Sequence, residues 1–236
     1  MTDPTMRAIV DAASIRYRAA GRFAWYFARG KLAGDPAFAA ILRRGLLSDR
    51  ARILDLGCGQ GLLASWLLAA QARQFEGAWP SDWPPAPAPL QLLGVDADRR
   101  EVARARAALG DRARFVQGDI RHVDYGPADA VVILDVLHYM SYASQEAVLE
   151  RTRAALAPGG RVLLRIGDAA GGAGFTLSTL IDRAVALARR RRLLRLYSRP
   201  AAEWQALLVR LGFTIEALPM SQGTPFANVL FVGRLA

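Results

Sequence analysis

Residues 53–61 read Ile53-Leu54-Asp55-Leu56-Gly57-Cys58-Gly59-Gln60-Gly61. A short apolar strand ends at Asp55, three alternating glycines follow, and a helical run extends from Leu62 to Ala70, within a first helix at 61–72. Glycine accepts positive φ and lets a ligand approach the backbone closely. The helix that follows offers N–H groups without intrahelical partners. Together these residues predict a strand, a glycine turn and a helix that hold a nucleotide-like ligand.

The spacing narrows that ligand. A dinucleotide fingerprint needs G-x-G-x-x-G; from Gly57 and Gly59 the third glycine would fall at position 62, which is Leu62. G-x-x-x-x-G-K-[ST] is absent too, which excludes a P-loop. The turn carries Asp55 and no Lys or Arg. A carboxylate suits a ligand with a positive end, such as an ammonium or sulfonium.

Further segments follow in order: Leu92-Leu93-Gly94-Val95-Asp96, Phe115-Val116-Gln117-Gly118-Asp119-Ile120, Ala128 to Asp135, and Leu156-Ala157-Pro158-Gly159-Gly160 running into Arg161-Val162-Leu163-Leu164. With the glycine turn, this series over residues 50–170 resembles the class I S-adenosylmethionine-dependent methyltransferases. The resemblance implies a Rossmann-like α/β fold. Its sheet has seven mostly parallel strands, helices on both faces and a reversed last strand. The cofactor residues implied are Asp55, Gly57, Cys58, Gly59 and Gly61 in the turn, Asp96 with Ala97 at the ribose, Asp119 with Ile120 at the adenine, and Asp135. A carboxylate accepts both ribose hydroxyls. Cys58 enters through its backbone, with no thiol chemistry assigned.

The chain has 236 residues, 53% of them hydrophobic, enough for one well-buried α/β domain over 1–236. Its one cysteine excludes an internal disulfide and fits a reducing, cytoplasmic compartment. No apolar leader core stands at Met1-Thr2-Asp3-Pro4, and no run reaches the ~18 apolar residues of a membrane span. The net charge is +10, nearly all from arginine, since Lys31 is the sole lysine. A GC-rich coding sequence accounts for such a composition; so does an acidic partner.

Alternating strands and helices predict parallel pairing with right-handed crossovers. Residues 1–47 are expected to be helical, and the resemblance implies a lid over the cofactor; packing of their aromatics on the core edge is the alternative. The run from Glu76 to Leu90 carries Trp79, Trp83 and five prolines, so it is a surface loop, neither helix nor central strand. Helices are expected at 98–109, at 144–157 with Ser144 as cap, and at 201–211, before strands at 213–218 and 228–233. An extra helix at 177–196, within the segment 171–200, carries Arg189-Arg190-Arg191-Arg192. That run is a candidate dock for an acidic acyl-carrier protein, or a solvated helix face.

His138 follows the fourth strand, where open α/β sheets bind ligands, and its ordinary pKa suits a base. It is the catalytic candidate; a histidine bonded to backbone is the alternative. His122 reads as a loop residue. Tyr139 and Tyr26 are candidate acceptor contacts. Asp135 and Asp168 sit where catechol-type relatives hold magnesium, but Ala169 replaces their Asn, and a hard cation needs several oxygens; no metal is expected. The Pro-Pro signature of base-amine methyltransferases is absent after Asp135, which argues against nucleic acid. The sequence therefore points to methyl transfer onto oxygen or carbon of a small, largely apolar metabolite, free or carrier-bound. An RNA- or protein-modifying enzyme and a non-catalytic cofactor-binding module are the alternatives.

Overall fold

Continuous apolar runs become strands covered on both faces, as expected for parallel sheets. Ala130–Ile133 and Val162–Leu164 are wholly buried. In the computed structural model, which describes residues 3–89, 91–170, 196–222 and 227–235, seven strands form one sheet. They are β1 (Arg52–Leu56), β2 (Gln91–Asp96), β3 (Arg114–Gln117), β4 (Ala128–Leu134), β5 (Leu156–Gly167), β6 (Phe213–Pro219) and β7 (Asn228–Leu235), in the order β3-β2-β1-β4-β5-β7-β6. Helices flank the sheet on both sides, the Rossmann-like arrangement expected. The chain divides into two compact units, residues 1–130 and 131–236.

In the first unit, β1 pairs parallel with β2, setting Asp55 opposite Gly94, and β2 pairs parallel with β3, setting Asp96 opposite Gln117. Three helices precede the sheet: α1 (Pro4–Ile15), α2 (Arg22–Gly34) and α3 (Pro36–Arg43). Asp3 caps α1, and Asp35 caps α3 by accepting from Ala37 N at 3.0 Å, with Pro36 in the first turn. Proline suits that turn because its missing N–H would have no helical partner.

The helix α4 (Leu62–Phe75) is apolar nearly all round: Leu62 through Leu67, Ala69 and Ala70 are buried. A helix of that kind needs cover on every side. α1 and α3 provide part of it, since Ser65 Oγ donates to Ala13 O at 2.8 Å and Trp66 Nε1 donates to Phe38 O at 2.9 Å. The proline-rich loop folds onto the same unit. Trp79 and Trp83 meet edge to face, Trp79 Nε1 donates to Pro84 O at 2.9 Å, and the Arg43 guanidinium stacks over Trp83. α5 (Arg99–Leu109) follows β2, capped by Asp98.

In the second unit, β7 runs antiparallel to β5 and β6, the reversed strand expected. The helix expected at 144–157 is α6, Tyr142–Ala155. Its cap is Ser141 rather than Ser144: Ser141 has the extended backbone that a cap requires, and its Oγ accepts from Ser144 N. At the other end, the chain is already strand at Leu156. The last helix, α7, is Ala201–Arg210. The expected extra helix and Arg189–Arg192 lie outside the described residues.

Candidate functional site

The glycine turn is built by backbone hydrogen bonds. Gly57 N and Cys58 N both donate to Val95 O, at 2.7 and 3.1 Å, fixing the turn against the end of β2. Gly57, Gly59 and Gly61 have φ of 77, 54 and 77°, a region that costs other L-residues about 1 kcal/mol or more. Two of them have distinct duties. A Cβ on Gly61 would stand 2.8 Å from the Phe115 ring, so that glycine permits close packing. A Cβ on Gly59 would meet nothing within 4 Å. The face of the turn at Gly59 is therefore open for a ligand.

Two acids flank that turn. Asp96, at the end of β2, accepts from Gly59 N at 2.9 Å through one oxygen and from Asp98 N at 2.8 Å through the other, across Ala97. Each carboxylate oxygen has two lone-pair sites, so Asp96 keeps capacity for two more donors. Asp55 is 4% exposed. Burial, and then the nearby Asp96, pushes its carboxyl from the ordinary 3.8 up to about 7. Among the described residues nothing offsets those two effects. A buried acid of this kind stays neutral at low pH and ionises when a cation arrives.

The Cys58 thiol is buried and pushed upward, first by desolvation and then by Asp55 and Asp96. Its neutral sulfur lies at Gly94, where an added Cβ would come within 2.9 Å. A protonated, enclosed thiol is a packing group, not a nucleophile. Asp119 stands just after β3. Its carboxylate accepts from Arg121 N at 2.9 Å and from the Arg121 guanidinium, which holds it below the usual carboxylate range despite some burial. Its oxygens already serve Arg121, so any adenine amine shares them. Ile120 is buried, and its carbonyl accepts from the Tyr125 hydroxyl at 2.6 Å.

The helices before the sheet grip the turn. Tyr17, in the short 3-10 turn after α1, is fully buried and donates to Gln60 O at 2.9 Å. Gln60 in turn donates through Nε2 to Ala24 O in α2 at 2.9 Å. Sequence reading missed both residues; a polar side chain inside a glycine turn was the only available signal. Tyr26 lies on α2 and is exposed, its ring 4.6 Å from that of Trp25.

In the second unit, Asp135 follows β4 and is the one non-glycine residue with positive φ among those described, at 58°. It is ion-paired with Arg165 of β5, which is 2% exposed: Arg165 Nε donates to one Asp135 oxygen at 2.8 Å and Nη2 to the other. Asp135 N also donates to Arg165 O at 3.2 Å. The bidentate pair holds the strained residue in place. His138 and Tyr139 occupy the 3-10 turn Leu137–Tyr139, their rings 4.1 Å apart. Gln145 organises this turn. Its Nε2 donates to Leu137 O, Met140 O and Tyr197 O at 2.7–3.1 Å, and its Oε1 accepts from Arg199 Nε at 2.9 Å. Tyr197 N donates to His138 O at 2.8 Å. No sequence signal marks Gln145; Arg165 is signalled only by standing as a cation between Leu164 and Ile166 in an apolar strand. Asp168 accepts from Ala170 N and Ala201 N at the start of α7, and the described residues hold no group of three metal-ligating side chains.

Comparison with known proteins agrees with this architecture. Residues 54–162 match the family model for a methyltransferase domain. The chain is 37% identical over 140 residues to a carboxy-S-adenosyl-L-methionine synthase of Chromohalobacter salexigens, covering 55% of this chain and 47% of that protein. It is 39% identical over 187 residues to acetylserotonin O-methyltransferase of Mus musculus, covering 75% of this chain and 43% of that protein. The chain spans about half the length of the curated relatives it matches. Among solved structures, an O-methyltransferase family protein from Burkholderia thailandensis superposes with TM-score 0.64 at 16% identity, over 93% of this chain and 62% of that one. Magnesium protoporphyrin IX methyltransferase from Synechocystis superposes with TM-score 0.60 at 20% identity, over 99% and 100%. These likenesses concern the fold. The methyltransferase-domain match and the relatives at 37% and 39% identity, with the acid-flanked glycine turn, place the chain in the class I S-adenosylmethionine-dependent methyltransferases.

Proposed function

We propose that the chain transfers the methyl group of S-adenosylmethionine to an oxygen or carbon of a small, largely apolar acceptor. The observation that carries this reading is Asp55: a buried carboxyl raised toward neutrality beside a turn whose Gly59 face is open. An ammonium-bearing, sulfonium-bearing ligand supplies the positive charge that Asp55 lacks, and Asp96 has acceptor capacity for a ribose. The bound donor would supply an activated methyl group, so the protein generates no electrophile. Its own residues bind and orient the reactants and exclude water. Orientation of that kind accounts for ~7–11 kcal/mol of barrier lowering in favourable cases.

His138 is the proposed base for a hydroxyl or acidic carbon, a role worth about 10²–10⁴-fold in rate. The 3-10 turn bonded through Gln145 supports it, because a base acts only from a fixed position. Tyr139 is a proposed acceptor contact. Presentation of the acceptor on an acidic carrier protein is the finer form of the proposal.

Titration calorimetry with S-adenosylhomocysteine tests the cofactor site. Asp96→Ala removes a charged acceptor, and hydrogen bonds to charged groups are worth about 1.5–3 kcal/mol each, so affinity should fall at least tenfold. Unchanged affinity overturns the ribose assignment. Incubation with methyl-tritiated donor, followed by separate counting of small-molecule, protein and RNA fractions, tests the acceptor class. Label in RNA alone would overturn the small-molecule reading. Mass gain on the donor itself, the product named by the Chromohalobacter relative, would overturn methyl transfer.

A further inference from the structure

Residues 16–34 contain Arg16, Arg18, Arg22, Arg29 and Lys31 and no Asp or Glu. The same stretch carries Phe23, Trp25, Tyr26 and Phe27. In α2, Ala24, Ala28 and Leu32 face inward and are buried, whereas Phe23 is 61% exposed, Tyr26 56% and Phe27 37%. Ile15, at the end of α1, is exposed as well. Large apolar side chains at i, i+3 and i+4 on the outer face of a helix form a contiguous patch, not scattered surface residues.

The charges around the patch have one sign in excess. Arg22 is exposed and makes no ion pair or hydrogen bond among the described residues. The acids that face this region are already engaged: Asp11 of α1 with Arg29, Asp35 with Lys31, and Glu101 of α5 with Arg104. The aromatic faces are engaged too. The Arg104 guanidinium stacks over Phe23 at 4.9 Å, Arg18 over Trp25 at 4.7 Å, and Phe23 lies near-parallel to Phe27. Nucleobases need free ring faces for stacking, and those of Phe23 and Trp25 are already taken up by arginines. Exposed apolar rings beside the exposed Arg22 match the acyl–headgroup boundary of a lipid bilayer.

We propose that the outer face of α2 is a peripheral membrane-binding surface, with Phe23, Tyr26 and Phe27 inserting at the interface of an anionic lipid bilayer and Arg22 meeting the headgroup phosphates. No described helix is long and apolar enough to cross a membrane, so α2 lies in the plane of the surface. The interaction is independent of the acceptor assignment and does not require catalysis.

The test is co-sedimentation of the full chain with vesicles of phosphatidylcholine alone and of an equal mixture of phosphatidylcholine and phosphatidylglycerol. Binding to the mixed vesicles and weak binding to the neutral ones is expected, with loss at high salt. Arg22→Glu should lower partitioning roughly tenfold, since each basic residue near an anionic surface contributes several-fold. Phe23→Ser with Phe27→Ser should lower it by a similar factor. Retained S-adenosylhomocysteine binding shows that the doubly substituted protein has folded; if it has not, Arg22→Glu, a purely surface change, decides alone. Equal binding to both vesicle types, or no effect of Arg22→Glu, overturns the proposal. So does a dimer in light scattering that Phe23→Ser with Phe27→Ser dissociates, which would assign the patch to a second copy. Binding to single-stranded RNA that depends on Arg22 and not on the phenylalanines would assign it to nucleic acid instead.

Discussion

Asp55→Asn should stabilise the ligand-free protein while destroying the site. In the native state the Asp55 carboxyl titrates near 7; in the unfolded chain it titrates near 3.8. Below 3.8 both states carry the proton and the site costs nothing. Between 3.8 and 7 the unfolded chain has lost the proton and the native state has kept it, so raising the pH favours unfolding. Above 7 the loss is complete, and a displacement of that size corresponds to roughly 4 kcal/mol. That figure is an upper bound, because relaxation and water entry lower it. Asparagine has the same shape and never ionises. Urea unfolding of the ligand-free proteins at pH 8 should therefore show the variant more stable by about 2–4 kcal/mol, shrinking to about 1 kcal/mol at pH 5. If Asp55 meets the ligand ammonium as proposed, the same variant should lose its affinity for S-adenosylhomocysteine. In the wild type that affinity should rise from pH 5 to pH 8, since a cation draws the proton off Asp55. A stability difference that is absent at pH 8, or that is independent of pH, would refute the burial argument.

Two substitutions in the glycine turn separate packing from ligand space. Gly61→Ala forces a Cβ against the Phe115 ring at 2.8 Å with φ at 77° and should cost about 2–4 kcal/mol in urea unfolding. Gly59→Ala, with open space around it, should cost only about 1 kcal/mol yet weaken cofactor-product binding; equal stability losses for the two would contradict the distinction. Asp135→Ala leaves the buried Arg165 guanidinium without its bidentate partner and should cost about 3–5 kcal/mol. Asp135→Gly should recover about 1 kcal/mol of that by relieving the positive φ, measurable as a higher melting temperature than the alanine variant. Gln145→Leu strips a fully buried amide whose two Nε2 protons are shared among three carbonyls and whose Oε1 accepts from Arg199, and should cost about 3 kcal/mol. If His138 is the base, the same change should lower kcat more than KM.

The fold was legible where local patterning and tertiary burial agree. Asp55 to Gly61 reads as a turn because its three glycines readily adopt a region costly to other residues, and Ala130–Ile133 reads as a strand because both of its faces are covered. The cap of α6 was misplaced by three residues because Ser141 and Ser144 are both competent side chains, and only backbone geometry, extended at Ser141, selects between them. The acids at 55, 96 and 119 could be ordered along the chain, but their states could not. Whether a carboxylate is free or engaged depends on side-chain geometry that order along the chain does not give, whether the partner is near, as Arg121 is to Asp119, or remote, as Arg165 is to Asp135. The roles of Gln60, Tyr17 and Gln145 were not legible, since each acts through backbone carbonyls whose positions depend on the whole fold.

The cost of holding Asp55 buried and close to Asp96 explains why three helices stand before the first strand. A tight turn with two nearby acids is unfavourable alone, because it carries a carboxyl displaced by several pH units. Four side-chain hydrogen bonds tie that turn and its helix to the preceding segment: Tyr17 to Gln60, Gln60 to Ala24, Ser65 to Ala13 and Trp66 to Phe38. At about 1 kcal/mol each, together with burial of Trp66 and Tyr17 at ~1.5–3 kcal/mol each, they offset a strain of this size. The N-terminal helices thus act first as a brace that keeps the acids in place. A lid that opened fully would release Tyr17 from Gln60 and let water reach Asp55, so its carboxyl would fall back toward 3.8 and the discrimination in favour of a cationic ligand would weaken.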